Sequence, residues 1–353
     1  MKHLNTWTYA VFFSGCYLGA GFVSGNELTQ FFGNFGSWGF LGLAIIFLGF
    51  TLIGTVAVRF AQSSGVSEVD RLAAGGGCRP LRAVIGSMQV ILMFAILTIV
   101  HAGTGALLHS LLALPLWVGS LIFSCLSLPV ALLGIGGVAR LLAISVPLLT
   151  LTVVTLALIL LPRWIGAGLP MPHGVADNPL LPTFWIAGIT YISFNMGGNI
   201  TVVLASSPNV RRERVFFGTL LGSFLLVTVA SAILILLSLY PEAMADELPM
   251  LSAAKTLFPP LGYVYGVLLF LAMSGSGISK CFGISYYFAK KWRFAEQHPK
   301  LFVVLLVVLA YACSLVGFGD LVGTVYPIFG YLSIVLLVAM LIRAAIHFKK
   351  KKA

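Results

Sequence analysis

Apolar residues in this chain do not alternate with polar ones at the strand period, nor do they mark one face of an otherwise polar helix. They run on, broken by short stretches of Gly, Pro and charge. Ten such runs stand at about residues 7–33, 37–60, 81–110, 115–136, 140–161, 182–205, 213–240, 260–290, 300–318 and 321–347. A bilayer core takes about 20 apolar residues per helix. The pattern therefore predicts an all-α integral membrane protein with ten transmembrane helices, its ends set by Gly, Pro and charge.

Composition points the same way. Of 353 residues 59% are hydrophobic and 9% charged, where a soluble domain carries about 25% charged residues. With a mean hydropathy of +1.04, a water-facing enzyme is excluded. The formal net charge of +11 raises nucleic acid as a partner, but phosphate backbones need one contiguous basic face. Here the basic residues lie in short loops and no nucleic-acid role is expected. With the N-terminus inside, 18 of the 21 Lys and Arg fall on one side, from Lys2 and Arg59 through Arg71, Arg79 and Arg82 to Lys349–Lys352. The opposite side receives Arg163 and Lys255 together with Asp177, Glu242, Asp246, Glu247 and Asp320. By the positive-inside rule both termini are expected in the cytoplasm of a bacterium, with the chain in its cytoplasmic (inner) membrane. The first run lacks a small-residue cleavage site and is expected to be permanent. Cys16, Cys125, Cys281 and Cys313 sit inside apolar runs without CxxC or Cys/His spacing, so neither disulfides nor a metal cluster are expected.

Two runs are punctuated differently from the other eight. The first carries Gly19, Gly21, Ser24, Gly25, Asn26 and Glu27; the sixth carries Ser193, Asn195, Gly197, Gly198 and Asn199. Glycine costs a helix about 1 kcal/mol, and Asn and Ser compete for its backbone hydrogen bonds. Both runs are therefore expected to break in mid-membrane. They are numbers one and six of ten. An odd-numbered repeat must cross the membrane in the opposite sense, so an inverted 5+5 repeat is expected: 1–161 as the first half, 162–180 as an external loop, and 181–353 as the second half with a basic tail. Broken helices expose N–H groups at one half-helix end and carbonyls at the other, in a place where lipid cannot satisfy them. Such paired breaks are a known device for binding a small solute and an ion at the midplane.

The stretch Gly19-Ala-Gly-Phe-Val-Ser-Gly-Asn-Glu-Leu-Thr-Gln-Phe-Phe-Gly-Asn-Phe-Gly36 resembles the first helix of the YkvI-type bacterial membrane proteins. That group is placed with the amino acid, polyamine and organocation superfamily of LeuT-like transporters. The resemblance implies secondary active transport by alternating access. In LeuT-like sodium transporters a hydroxyl pair on the eighth helix and carbonyls of the first break hold sodium. Ser276 and Ser279 resemble that pair, with Gly19 and Phe22 as the carbonyl donors. The departure is Lys280, whose ammonium would repel sodium; in some proton-coupled relatives a lysine replaces the ion.

Glu27 is the only acid buried within a membrane run. An intramembrane carboxylate is costly and marks function by default, although Ser24-x-x-Glu27 also fits a capping box closing the outer half-helix. Lys280 shares a helical stripe with Ser276; it either snorkels to the inner surface, pairs with Glu27 or a substrate carboxylate, or titrates during coupling. Ser193, Asn195, Gly197 and Asn199 offer polar contacts, Asn199 also serving as an N-cap after the expected break. Tyr191, Phe194 and Trp185 shape an apolar wall or simply pack. His101 lines the pocket or packs within the third helix.

One buried acid, one buried base and exposed half-helix ends suit a zwitterionic amino acid or derivative, moved by ion-coupled symport with sodium or a proton as coupling ion and no cofactor. The rival keeps the fold and takes an organic cation through Glu27 and aromatic faces. A passive channel would need a polar stripe through several helices. An enzyme would need paired carboxylates, a nucleophile with its base, or metal ligands. The sequence displays neither.

Overall fold

The structure is a computed structural model that describes residues 4–75, 79–133, 135–170, 178–315 and 319–352. Lys2, Asp177 and the side chains of Asp320 and Lys352 lie outside the described residues. Among those residues the regular structure is helical, apart from one isolated bridge between Leu4 and Val210.

The first run divides into α1 (Thr6–Tyr17), α2 (Ala20–Ser24) and α3 (Asn26–Phe32). There follow α4 (Ser37–Ser64), α5 (Val69–Ala74), α6 (Arg79–Leu112), α7 (Leu116–Ala131) and α8 (Ile135–Gly166). The sixth run is α9 (Phe184–Ala205) and the seventh α10 (Arg212–Ser238). After these come α11 (Pro249–Leu257), α12 (Pro259–Ala289), α13 (Arg293–Gln297), α14 (Pro299–Ser314) and α15 (Gly319–Lys352). Each expected run thus coincides with a helix or, once, with a divided one. Three short connecting helices, α5, α11 and α13, had no apolar run to announce them.

Six helices, α4, α6, α8, α10, α12 and α15, contain spans long and apolar enough to cross a membrane. The other four runs fall short for local reasons. The first is divided, α7 and α14 have 16 residues each, and α9 has 22 that include Asn195 and Asn199. The expected count of ten crossings is therefore not established by length and apolarity alone.

Packing answers across the two halves. α1 lies on α10 as α9 lies on α4, and α1 meets α8 as α9 meets α15. The close approaches use small residues: Gly54 and Gly222 receive the ring of Phe13, and Gly218 that of Tyr9. Basic loops gather at one end. Leu4 N–H donates to Asn209 O at 2.8 Å, Gln62 Nε2 to Val210 O at 2.7 Å, and Lys290 Nζ to Glu68 at 3.0 Å. His347 of α15 reaches Ser63 of α4 there at 2.9 Å. At the opposite end Lys255 Nζ donates to Ser110 O at 2.6 Å, and Asn26 Nδ2 to Glu247 O at 3.1 Å.

Candidate functional site

The first run is interrupted twice. Leu18 leaves the helical region at ψ 73°, and Gly19 is extended at φ −80°, ψ 176°. Gly19 N–H turns back to Tyr17 O at 2.8 Å instead of continuing the ladder. Carbonyls at the end of α1 and N–H groups at the start of α2 are thereby left outside any helix. Gly25 then takes a left-handed conformation at φ 85°, which only glycine adopts cheaply. Tyr265 of α12 supplies a hydroxyl to Val23 O at 2.6 Å, so the second interruption is satisfied within the protein.

Glu27 folds back over this stretch. Its carboxylate is buried, accepts the Tyr191 hydroxyl at 3.1 Å, and faces the Tyr326 hydroxyl and Phe22 N–H. Gly21 has no side chain because Glu27 lies where one would stand. The capping box is not formed. Ser24 Oγ donates to Gly21 O at 3.1 Å and accepts from Asn26 N–H at 3.4 Å, and the N-cap of α3 is Gly25, with no side-chain cap. Asn26 also points away, its amide holding the loop before α11 through Glu247 O.

Lys280 does not snorkel. It is 1% exposed, and its Nζ donates to Asn199 Oδ1 with Ser276 Oγ and Ser279 Oγ each at 3.5 Å. A direct pair with Glu27 is also absent, since neither joins an ion pair among the described residues. Gly19 stands between the two charged groups: a methyl added there would lie 3.5 Å from Ser276 Oγ and 3.8 Å from Glu27 Oε1. The interruption thus sits between a buried acid and a hydroxyl carrying a buried base. Of the groups expected to hold sodium, Gly19 O accepts from Val23 N–H, Phe22 O from Gly25 N–H, and Ser279 Oγ donates to Ser276 O.

The expected break in the sixth run is not there. α9 continues from Phe184 to Ala205, past Gly197 and Gly198. Three of its polar side chains bond within the helix, Ser193 Oγ to Ile189 O, Asn195 Nδ2 to Tyr191 O and Asn199 Nδ2 to Asn195 O, at 2.9, 3.2 and 2.9 Å, while Gln89 of α6 donates to Gly197 O. Each of the three reaches the carbonyl four residues back, which a helix tolerates. The glycines serve close packing, Gly197 against Ser333 and Leu92, Gly198 against Ile96. Asn199 is accordingly no N-cap; it is the partner of Lys280.

Tyr191 and Phe194 are brought to the site. Tyr191 is ringed by Phe31 and Phe32 at 5.1 and 5.4 Å between centroids, and Phe194 stacks on Tyr326 at 4.0 Å. Trp185 is 49% exposed and forms no wall. His101 is not brought in: its Nδ1 bonds Leu97 O at 2.8 Å and its ring meets Phe123 edge-on, so it packs α6 on α7. Sequence reasoning missed Tyr265 and Tyr326. Buried tyrosines inside apolar runs were the available signal, because a membrane interior must supply each hydroxyl with a partner.

The charged groups of the site are buried, Glu27 and Lys280 alike. Leu237 and Met250 lie against Gly25 on the α11 side, and Leu4 pairs with Asn209 and Val210 at the basic end.

No protein-family profile matches the chain. The uncharacterized membrane protein YkvI of Bacillus subtilis (strain 168) is 25% identical over 340 residues, covering 95% of each chain. Among solved structures, MhsT in complex with L-phenylalanine superposes with a TM-score of 0.67 at 16% identity, over 95% of this chain and 89% of its own. Mhp1, a nucleobase-cation-symport-1 family transporter in a closed conformation with bromovinylhydantoin bound, gives 0.65 at 14% identity, over 93% and 75%. At such identities the likeness is one of fold: this chain has the helical architecture of LeuT-like transporters.

Proposed function

We propose that the chain is a secondary active transporter: ten crossings in an inverted 5+5 repeat, both termini cytoplasmic, carrying a zwitterionic amino acid or derivative inward across a bacterial cytoplasmic membrane by ion-coupled symport. The observation that carries this reading is the interruption at Leu18–Gly19, flanked by buried Glu27 and, beyond Ser276, by buried Lys280. A solute ammonium would face the Glu27 carboxylate, and a solute carboxylate the Ala20 and Gly21 N–H groups at the start of α2, beside the Phe22 N–H that Glu27 engages. The matching contacts of α1 on α10 and α9 on α4 support the repeat. The gathering of basic loops at one end supports the orientation. Ion-coupled transporters of the same fold support transport as the task.

The coupling ion in this reading is a proton. A sodium ion between Ser276 and Ser279 would meet the Lys280 ammonium 3.5 Å from both hydroxyls, and like charges at such range repel strongly away from water. Lys280 thus takes the place of the cation. Reconstituted protein should accumulate its solute with a proton gradient and no sodium; accumulation that needs sodium at constant pH would refute the assignment. The solute class is tested by thermal shift against amino acids and small organic cations, because a ligand that binds only folded protein stabilises it by mass action. The organic cation remains a second reading on one observation, the aromatic rings of Tyr191, Phe31 and Phe32 beside Glu27. Stabilisation by choline-like cations and by no amino acid would favour it.

A further inference from the structure

At the basic end of the bundle, away from the interruption, the ends of α4 and α15 and the short α5 enclose a cavity of about 580 Å³. Arg71, Arg82, Arg343 and Lys350 line it, with His347 beside them and no acid. Charges so placed ordinarily find partners, yet these largely have none. Arg82 lies 3.7 Å from Asp70, whose same oxygen is taken by Lys291 Nζ. Glu68, the acid that feels Arg71, is hydrogen-bonded by Lys290 at 3.0 Å. Arg71, Arg343 and Lys350 join no ion pair among the described residues. Like charges sharing one cavity repel one another, and an anion removes that cost.

The cavity is also shaped. Gly75, at φ 73°, lies flat against the Arg343 guanidinium; any side chain there would displace it. The His347 ring is fixed by Ser63 Oγ at 2.9 Å and by Phe60 at 5.3 Å. Phe60, Val66, Leu72 and Ile346 add apolar lining beside the charges. On α15, Ile342 and Ile346 are 55% and 51% exposed, continuing that apolar surface outward. Guanidinium forks match the paired oxygens of a phosphate, and basic pockets between helices at the cytoplasmic surface suit phosphate headgroups.

We infer that this cavity binds a phosphate-bearing anion, its phosphoryl oxygens held by Arg71 and Arg343 with Lys350 neutralising the remaining charge. The phosphate comes either from the headgroup of an anionic lipid, its acyl chains on the exposed face of α15, or from a soluble phosphate compound. Binding would tie α5 to α15, and so brace the inner end of the fold.

The test uses the purified full-length protein in detergent. It is titrated with phosphatidylglycerol, with phosphatidylcholine as the neutral control, and separately with inorganic pyrophosphate; melting temperature and lipids retained in native mass spectrometry are read. Stabilisation by phosphatidylglycerol alone assigns a lipid site, and stabilisation by pyrophosphate assigns a soluble ligand. In either case Arg71→Gln and Arg343→Gln should each weaken the response about tenfold or more. Ile346→Trp, which fills the cavity and removes no charge, should weaken it as well and serves if an arginine variant fails to fold. No response to either probe, an equal response to phosphatidylcholine, or a response unchanged in the folded variants would overturn the inference.

Discussion

The first run and the sixth have almost the same punctuation, two or three glycines with Asn and Ser in the middle of an apolar stretch, and they fold differently. At Leu18–Gly19 the chain leaves the helix, and at Gly25 it leaves again. Through Gly197–Gly198 it does not. The difference lies in where the polar side chains go. In α9 Ser193, Asn195 and Asn199 each return to a carbonyl of their own helix four residues back, and the glycines admit Ser333, Leu92 and Ile96. In the first run Ser24 and Thr29 also turn back to carbonyls three residues earlier, but Glu27 goes to Tyr191, Asn26 to Glu247 O, and Tyr265 comes in to serve Val23 O. Glycine permits a break but does not make one, and a partner from another helix does not make one alone: Gln89 of α6 donates to Gly197 O and α9 stays intact.

The comparison breaks most visibly at Glu27. Glu27→Gln keeps the Tyr191 hydrogen bond and removes the charge, so solute uptake should fall by about 100-fold or more while the protein still elutes as folded monodisperse material. Near-normal uptake would make Glu27 a structural group like those of α9. Two glycine variants should then separate the regions. Gly19→Ala adds a methyl in ordinary contact with Ser276 and Glu27; melting should hold while solute affinity drops about tenfold or more. Gly197→Ala presses on Ser333; it should cost about 1–3 kcal/mol of stability and leave affinity nearly unchanged. Equal behaviour of the two would erase the distinction.

Lys280→Ala, smaller in effect on binding, should alter the pH dependence of uptake, read as a shifted or flattened pH profile in proteoliposomes. The smallest effect is expected at the basic end. Burial opposes ionisation of Glu68, but hydrogen bonding and charge from Lys290 outweigh it and hold the carboxyl below its ordinary value. Burial likewise opposes the Lys290 ammonium, and Tyr286 and Glu68 outweigh it, raising the amine. The Glu68 contribution is present above the unfolded carboxyl value and is lost as pH falls through the folded one. The Lys290 contribution is present below the unfolded amine value and is lost as pH rises through the folded one. Melting temperature should therefore be highest between them, and Glu68→Gln should flatten the acid limb by only a few tenths of a kcal/mol, as exposed pairs do.

Helix positions were legible because membrane crossing writes length and apolarity directly into sequence: α4, α6, α10 and α12 begin and end within a few residues of their apolar runs. Glu27 was legible as the one acid buried within such a run. The state of Gly197 was not, since composition is the same whether Asn195 bonds backward within its helix or outward. Nor was the Lys280–Asn199 contact, which joins two helices and leaves no periodic trace. α5 and α11 are too short to show as runs.

Ligand-dependent melting of wild-type protein beside Glu27→Gln reaches the central assignment most directly. At least one amino acid should raise the melting temperature of the wild type in sodium-free buffer and leave the variant unmoved. A solute that stabilises both proteins equally would place binding away from the Leu18–Gly19 interruption and contradict the account.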